Sequence, residues 1–332
     1  MKIGPSIEVC RKTHPNLSCG TLAVMAKKDR QEKTDKITIF VKKENIMTLW
    51  NNDTEIQFFT EALKNFASPE QLFYKLKSGY FAYVPKGLNA EGQTLQSRNS
   101  LIGQFTEKWC KDLFSPIAKQ LGLYAINGVV CEEIGLSRAS SADLAFCKKN
   151  TLKQKAKDIK IIFEIKMSIV SNYKLVMPES ISLLGDYKEH KGNPSLLRSD
   201  SMLKAIGKSI NIRVSGSESA SIPIVILGNS PITESYAKKV DFLKESGVIQ
   251  NFLSLNPMPT KSDYVKSTPQ KGFITITTQN QLMKICENLV SADLHYFSSM
   301  MSKKTLGQII TISSKEKTDI AKAEKFLNLI RS

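Results

Sequence analysis

Lys160-Ile-Ile-Phe-Glu-Ile-Lys166 is a nearly continuous apolar run that ends on two charges. Its length and its isoleucines read as a buried strand. Strand side chains alternate between faces, so Glu164 and Lys166 project together while Ile165 points to the other side. A carboxylate and an ammonium at the end of an apolar strand are costly unless they pair or bind something. The stretch therefore marks both the centre of a sheet and a candidate site.

Working outward, Tyr124-Ala-Ile-Asn-Gly-Val-Val-Cys131 and Ala142-Asp-Leu-Ala-Phe146 are short strand candidates. If the second lies beside 160–166, Asp143 falls next to Glu164. A helix is expected from an N-cap at Ser100 to about Leu121, because Leu101, Phe105, Trp109, Leu113, Ile117 and Leu121 recur every four residues. Glu107 lies at the border of that stripe. Downstream, 196–213 reads as a helix, Ile222-Pro-Ile-Val-Ile-Leu227 as a buried strand, and 236–253 as a further helix. This alternation implies an α/β core over residues 95–258. Residues 1–94 read as a mixed α/β segment with a role in DNA recognition or dimerisation. It holds a strand at 37–41, a helical stretch over 55–76 broken near Ser68-Pro69, and a strand at 79–84. Residues 259–332 read as a C-terminal α/β extension with a strand at 272–277.

The triplet acid-x-Lys occurs four times, at Asp158, Glu164, Asp186 and Glu189. Asp158 closes a lysine-rich run, and Asp186 and Glu189 sit in a polar loop between glycines. Only Glu164-Ile-Lys166 follows a buried run. Asp143 and Glu164 would form a hard-oxygen site suited to magnesium, with Glu107 completing the set; Glu132 and Glu133 are alternatives for the third acid. Magnesium there would activate water and neutralise charge on a phosphodiester, and Lys166 would orient or deprotonate that water or stabilise the pentavalent phosphate. The plain alternative is an ion pair at a strand end.

Asp143 followed by Glu164-Ile-Lys166 at the end of an apolar strand, with Glu107 on the preceding helix, resembles the PD-(D/E)XK nuclease superfamily, whose best-known members are type II restriction endonucleases. Ala142 stands where that family often has proline. The resemblance spans 95–258. It implies a restriction-endonuclease-like core of mixed β-sheet flanked by helices, here with N- and C-terminal additions. It further implies magnesium-dependent cleavage of double-stranded DNA and a homodimer. Catalytic roles fall to Asp143, Glu164, Lys166 and Glu107, with Asp143 and Glu164 as metal ligands.

Composition agrees with a polyanionic partner. The 332 residues carry 47 Lys and Arg against 31 Asp and Glu, a net charge of +16. Between Lys148 and Lys174, eight lysines face two acids. Gln96, Ser97, Arg98 and Asn99 offer groups that read base edges or phosphates, or else form a capping loop. Lys204 and Lys208 are DNA contacts or simply a helix's wet face. Six cysteines without a Cys-x-x-Cys pair and three scattered histidines exclude a structural zinc site and favour buried free thiols. Gly207-Lys208-Ser209 is not a P-loop tail, since Met202 stands where the motif needs glycine. No apolar run reaches membrane-helix length, and residues 1–8 have no signal-type segment, so a cytoplasmic protein without membrane association is expected. Two rival functions are a non-catalytic nucleic-acid-binding protein on a degenerate nuclease scaffold, and a repair or defence nuclease that reads DNA structure or modification.

Overall fold

The computed structural model describes residues 48–88, 95–176, 180–261, 263–298 and 301–331. The strand expected at 37–41 lies outside them. In chain order come helices α1 (Asn52–Asn65) and α2 (Pro69–Leu72), strands β1 (Tyr74–Leu76) and β2 (Gly79–Phe81), and the long helix α3 (Gln96–Gln120). Then follow β3 (Tyr124–Val129), β4 (Ala142–Cys147), β5 (Ile159–Ile165), β6 (Asn172–Val176), β7 (Ser180–Gly185) and α4 (Ser199–Ser215). The chain continues through β8 (Ile224–Gly228), α5 (Glu234–Glu245), β9 (Asn251–Ser254), β10 (Phe273–Thr275), α6 (Gln279–Ser291), α7 (Lys303–Ser313) and α8 (Asp319–Arg331).

These elements make an α/β protein built on a mixed six-stranded sheet of order β10-β9-β8-β5-β4-β3. β3, β4 and β5 form an antiparallel meander. β8 adds parallel to β5, and β9 and β10 continue in parallel. The 160–166 run is apolar on both sides because β5 is central and covered on both faces. On one face Phe163 meets Phe146 at 5.0 Å and Phe114 of α3 at 4.8 Å. On the other, Ile162, Ile224 and Ile226 pack with Met202, Ala205 and Ile212 of α4. Each of the Phe, Ile and Met side chains contributes roughly 1.5–3 kcal/mol by leaving water.

A second, antiparallel sheet has the order β1-β2-β6-β7. Its inner anchor is Glu55 of α1, 1% exposed. The Glu55 carboxyl accepts from the backbone N–H groups of Val170 (2.7 Å) and Ser171 (3.0 Å), from Tyr173 OH (3.0 Å) and from Trp50 Nε1 (2.9 Å). Burial pushes its pKa up to about 7 against the pull of these donors. The carboxyl thus fixes the chain that leads from Lys166 into β6. Thr48–Ser332 forms one compact unit, so the sequence boundaries at 94 and 258 fall inside it.

Three expectations are corrected. α3 begins at Gln96 rather than Ser100, so 96–99 form its first turn. Arg98 is drawn inward there, donating to the carbonyls of Leu72 (3.3 Å) and Ala82. Tyr74–Leu76 is a strand and not the end of a helix, because α2 stops after one turn and Phe73 is extended (φ −128, ψ 150). The helix expected over 236–253 stops at Glu245. Gly247 adopts φ +73, a conformation that favours glycine, and 251–254 turns back as β9 beside β8.

Candidate active site

The β4–β5 register pairs Leu144 with Phe163, which brings Asp143 and Glu164 together at one end of the sheet. The Ile165 N–H donates to Asp143 Oδ2 at 2.7 Å, so Asp143 caps the end of its neighbour strand. Lys166 is the first residue beyond β5. Its N–H continues the parallel ladder to Leu227 O at 2.7 Å, and its carbonyl accepts from Ser195 Oγ at 2.7 Å. Gly228 next to that ladder has no room for a side chain, since a Cβ would lie 2.3 Å from Leu196 Cγ. The backbone around Lys166 is therefore clamped between β8 and the turn at 195–197.

Four charges converge on this end. Lys166 Nζ lies 2.5 Å from Glu164 Oε1, 3.1 Å from the Ile165 carbonyl and 3.6 Å from Asp143 Oδ2. From α4, Lys208 Nζ reaches Asp143 Oδ1 at 3.1 Å and Glu164 Oε2 at 2.5 Å. The second contact covers Glu164 Oε2, which is buried. Glu164 is 5% exposed, and burial together with Asp143 raises its pKa against the pull of the two lysines. Burial works against the Lys208 ammonium, but Glu164 and Asp143 outweigh it and raise its pKa above the ordinary lysine value. Glu107 is half-buried on α3, and Asn127 Nδ2 ties its carbonyl to β3 at 2.9 Å. Its pKa is raised by burial and then by Asp143, and it also feels Lys166, Lys208 and Glu164.

Among the three candidates for a third acid, Glu107 is the one that shares the field of this cluster. Glu132 pairs with Lys153 at 3.4 Å, and Glu133 accepts from the Ala156 N–H at 2.7 Å. Two of the other three acid-x-Lys triplets have acids with local structural partners. Asp158 pairs with Lys149 at 2.8 Å. Asp186 accepts from the backbone N–H groups of Lys188 (2.8 Å) and Lys261 (3.1 Å) and from Thr260 Oγ1.

The expected DNA contacts separate. Gln96, Ser97 and Asn99 are exposed on the first turn of α3. Arg98 is 4% exposed, with its guanidinium 4.8 Å over the Tyr83 ring and 5.5 Å from that of Tyr74. Its guanidinium is engaged by carbonyls and rings, and Arg98 also lines the groove beside Lys166. Lys204 is exposed and pairs with Asp200 at 3.2 Å. Lys208 belongs to the carboxylate cluster rather than to a wet face. A groove of about 640 Å³ opens beside Lys166, with Asn99, Lys191, Asn193 and Arg198 on its wall. A larger cleft of about 1070 Å³ between α6 and the β9–β10 side of the sheet contains none of the site residues.

Among the described residues, no three His, Cys, Asp or Glu side chains are grouped to hold a metal ion. The donor set is two facing carboxylates, each in ion-pair contact with Lys166 and Lys208. That set fits magnesium, which binds through one or two carboxylates and completes its shell with water and substrate phosphate. Cys110, Cys131, Cys147 and Cys286 are buried and free. Comparison with protein-family models, curated proteins and solved structures found no match. Among the described residues, no helix is long and apolar enough to cross a membrane.

Proposed function

We propose that the chain is a magnesium-dependent endonuclease that cleaves phosphodiester bonds of double-stranded DNA at a specific sequence, in the manner of a type II restriction enzyme. The observation that carries this reading is the convergence of Asp143, Glu164 and Lys166 at the end of β5, with Glu107 nearby. Asp143 and Glu164 would hold magnesium, which supplies charge neutralisation and an acidified water when bound. Lys166 stands beside both carboxylates, where its ammonium orients the attacking water and stabilises the charge growing on the phosphate. Glu107 adds negative charge at the rim of the same site. The net charge of +16 and the basic wall beside Lys166 suit a polyanionic substrate. A homodimer acting in the cytoplasm would set two such sites across a palindrome and cut both strands.

The test is incubation of the purified chain with plasmid DNA and magnesium, followed by sequencing of fragment ends. Discrete fragments with one recurring end sequence support the reading. Intact plasmid across a range of DNA sequences and magnesium concentrations rejects it. The two ion-paired lysines in the cluster favour one rival, a nucleic-acid-binding protein whose carboxylates serve structure alone; that rival binds DNA and never cuts it.

A further inference from the structure

We propose that Lys208 is an internal counter-ion that occupies the cation position of the carboxylate pair and must leave when a divalent metal enters. This inference rests on the metal-dependent reading above and names how its site is controlled. Lys166 and Lys208 are not equivalent. Lys166 holds Glu164 Oε1 at 2.5 Å and the Ile165 carbonyl at 3.1 Å, and stands farther from Asp143, at 3.6 Å from Oδ2. Lys208 spans the two carboxylates more closely, 3.1 Å from Asp143 Oδ1 and 2.5 Å from Glu164 Oε2. Its side chain is 17% exposed and comes from α4, across from the strands that carry the acids.

A magnesium ion requires oxygens at about 2.0–2.1 Å in near-octahedral array. An ammonium bridging the same oxygens fills that space with a like charge, so the two occupants exclude each other. Without metal, the cluster balances two carboxylates against two ammoniums. With metal and Lys208 both present, it would crowd four positive charges onto two negative ones. Removing the Lys208 charge therefore favours metal twice, by freeing the oxygens and by removing repulsion.

The experiment measures manganese binding to the full chain by calorimetry, with the free ion followed by electron paramagnetic resonance. Parent, Lys208→Met, Lys208→Gln and Lys208→Met with Asp143→Asn are compared, each checked by circular dichroism. Both single variants should bind manganese at least about ten-fold more tightly than the parent, and adding Asp143→Asn should abolish the gain. Single variants that bind no more tightly than the parent overturn the proposal while the metal reading stands. A gain that survives Asp143→Asn places the ion elsewhere and also overturns it. If no protein binds manganese at millimolar concentration, both readings fall. Lys208→Gln keeps the comparison decisive should Lys208→Met fail to fold.

Discussion

The Ile165 N–H and the Asp143 carboxylate meet at 2.7 Å, so the residue between Glu164 and Lys166 is hydrogen-bonded by the acid of the neighbouring strand. Asp143 therefore holds a position in the sheet as well as a charge in the site. Substitution there has to be read on folding and on chemistry separately.

Glu164→Gln, Asp143→Asn and Lys166→Ala should each lower DNA cleavage by about 10²–10⁴-fold, the range expected when a charge that acts on the transition state is lost. Glu107→Gln should lower it less, since Glu107 lies at the edge of the cluster. Asp158→Asn and Asp186→Asn should cut at close to the parent rate per folded molecule. Cleavage assays on variants matched by circular dichroism make the comparison. Parent-like cutting by both Glu164→Gln and Lys166→Ala would show that the chemistry lies elsewhere.

Binding to duplex DNA should weaken steeply with salt, because each phosphate contact releases counterions. Lys204→Ala should reduce the slope of log K against log salt by about 1 if Lys204 touches phosphate. Calcium should support binding with little cutting, since it tolerates longer and looser coordination than magnesium. Fluorescence anisotropy over a salt series checks all three; binding indifferent to salt would contradict the polyanion reading.

Arg98→Ala should destabilise the fold by about 3 kcal/mol, through two carbonyls losing their donor and two rings losing their cation. Urea unfolding measures it. Stability within experimental error of the parent, together with a large loss of DNA affinity, would instead restore Arg98 as a DNA contact.

Glu55 gives stability a pH signature. Its pKa is about 7 when folded against an ordinary value of 4.5, so the folded state holds the proton more tightly. The resulting contribution is fully present below about pH 4.5 and is lost as pH rises through 7, on the order of 3 kcal/mol in all. Glu55→Gln cannot ionise and should flatten this fall. Denaturant midpoints of parent and variant from pH 4.5 to 8 provide the measurement, and parallel curves would refute the assignment.

Much of the site was legible because strand alternation is a simple rule. Glu164, Lys166 and Asp143 follow from a period of two and from one assumed strand pairing. Lys208 was not legible as part of that cluster. A helical pattern says which residues share a face but not where the end of a neighbouring sheet falls against it. The burial of Arg98 was hidden for a related reason: its charge reads as surface, while its carbonyl partners come from 72 and 82, distant in sequence. β9 was hidden because its buried residues extend the apolar pattern of α5, and only Gly247 marked the break. β6 and β7 were not assigned from sequence: β6 is only five residues long, though Tyr173 and Leu175 are buried on one face, and β7 is largely exposed.

The carboxylate pair exists only through the register between β4 and β5, and that has a consequence for how the gene can drift. The segment 148–158 joins the two strands, and its ends are tied by the Lys148 N–H to the Asp158 carbonyl at 2.8 Å. Residues gained or lost between those ends, chiefly in the exposed stretch 148–151 ahead of the Val130–Lys153 bridge, leave the β4–β5 pairing beyond them untouched. One residue gained or lost inside β4 or β5 would turn Asp143 or Glu164 to the opposite face and set a charge among the phenylalanines under α3. Length variation among descendants of this chain should therefore gather in the connection and stop abruptly at the strands it joins.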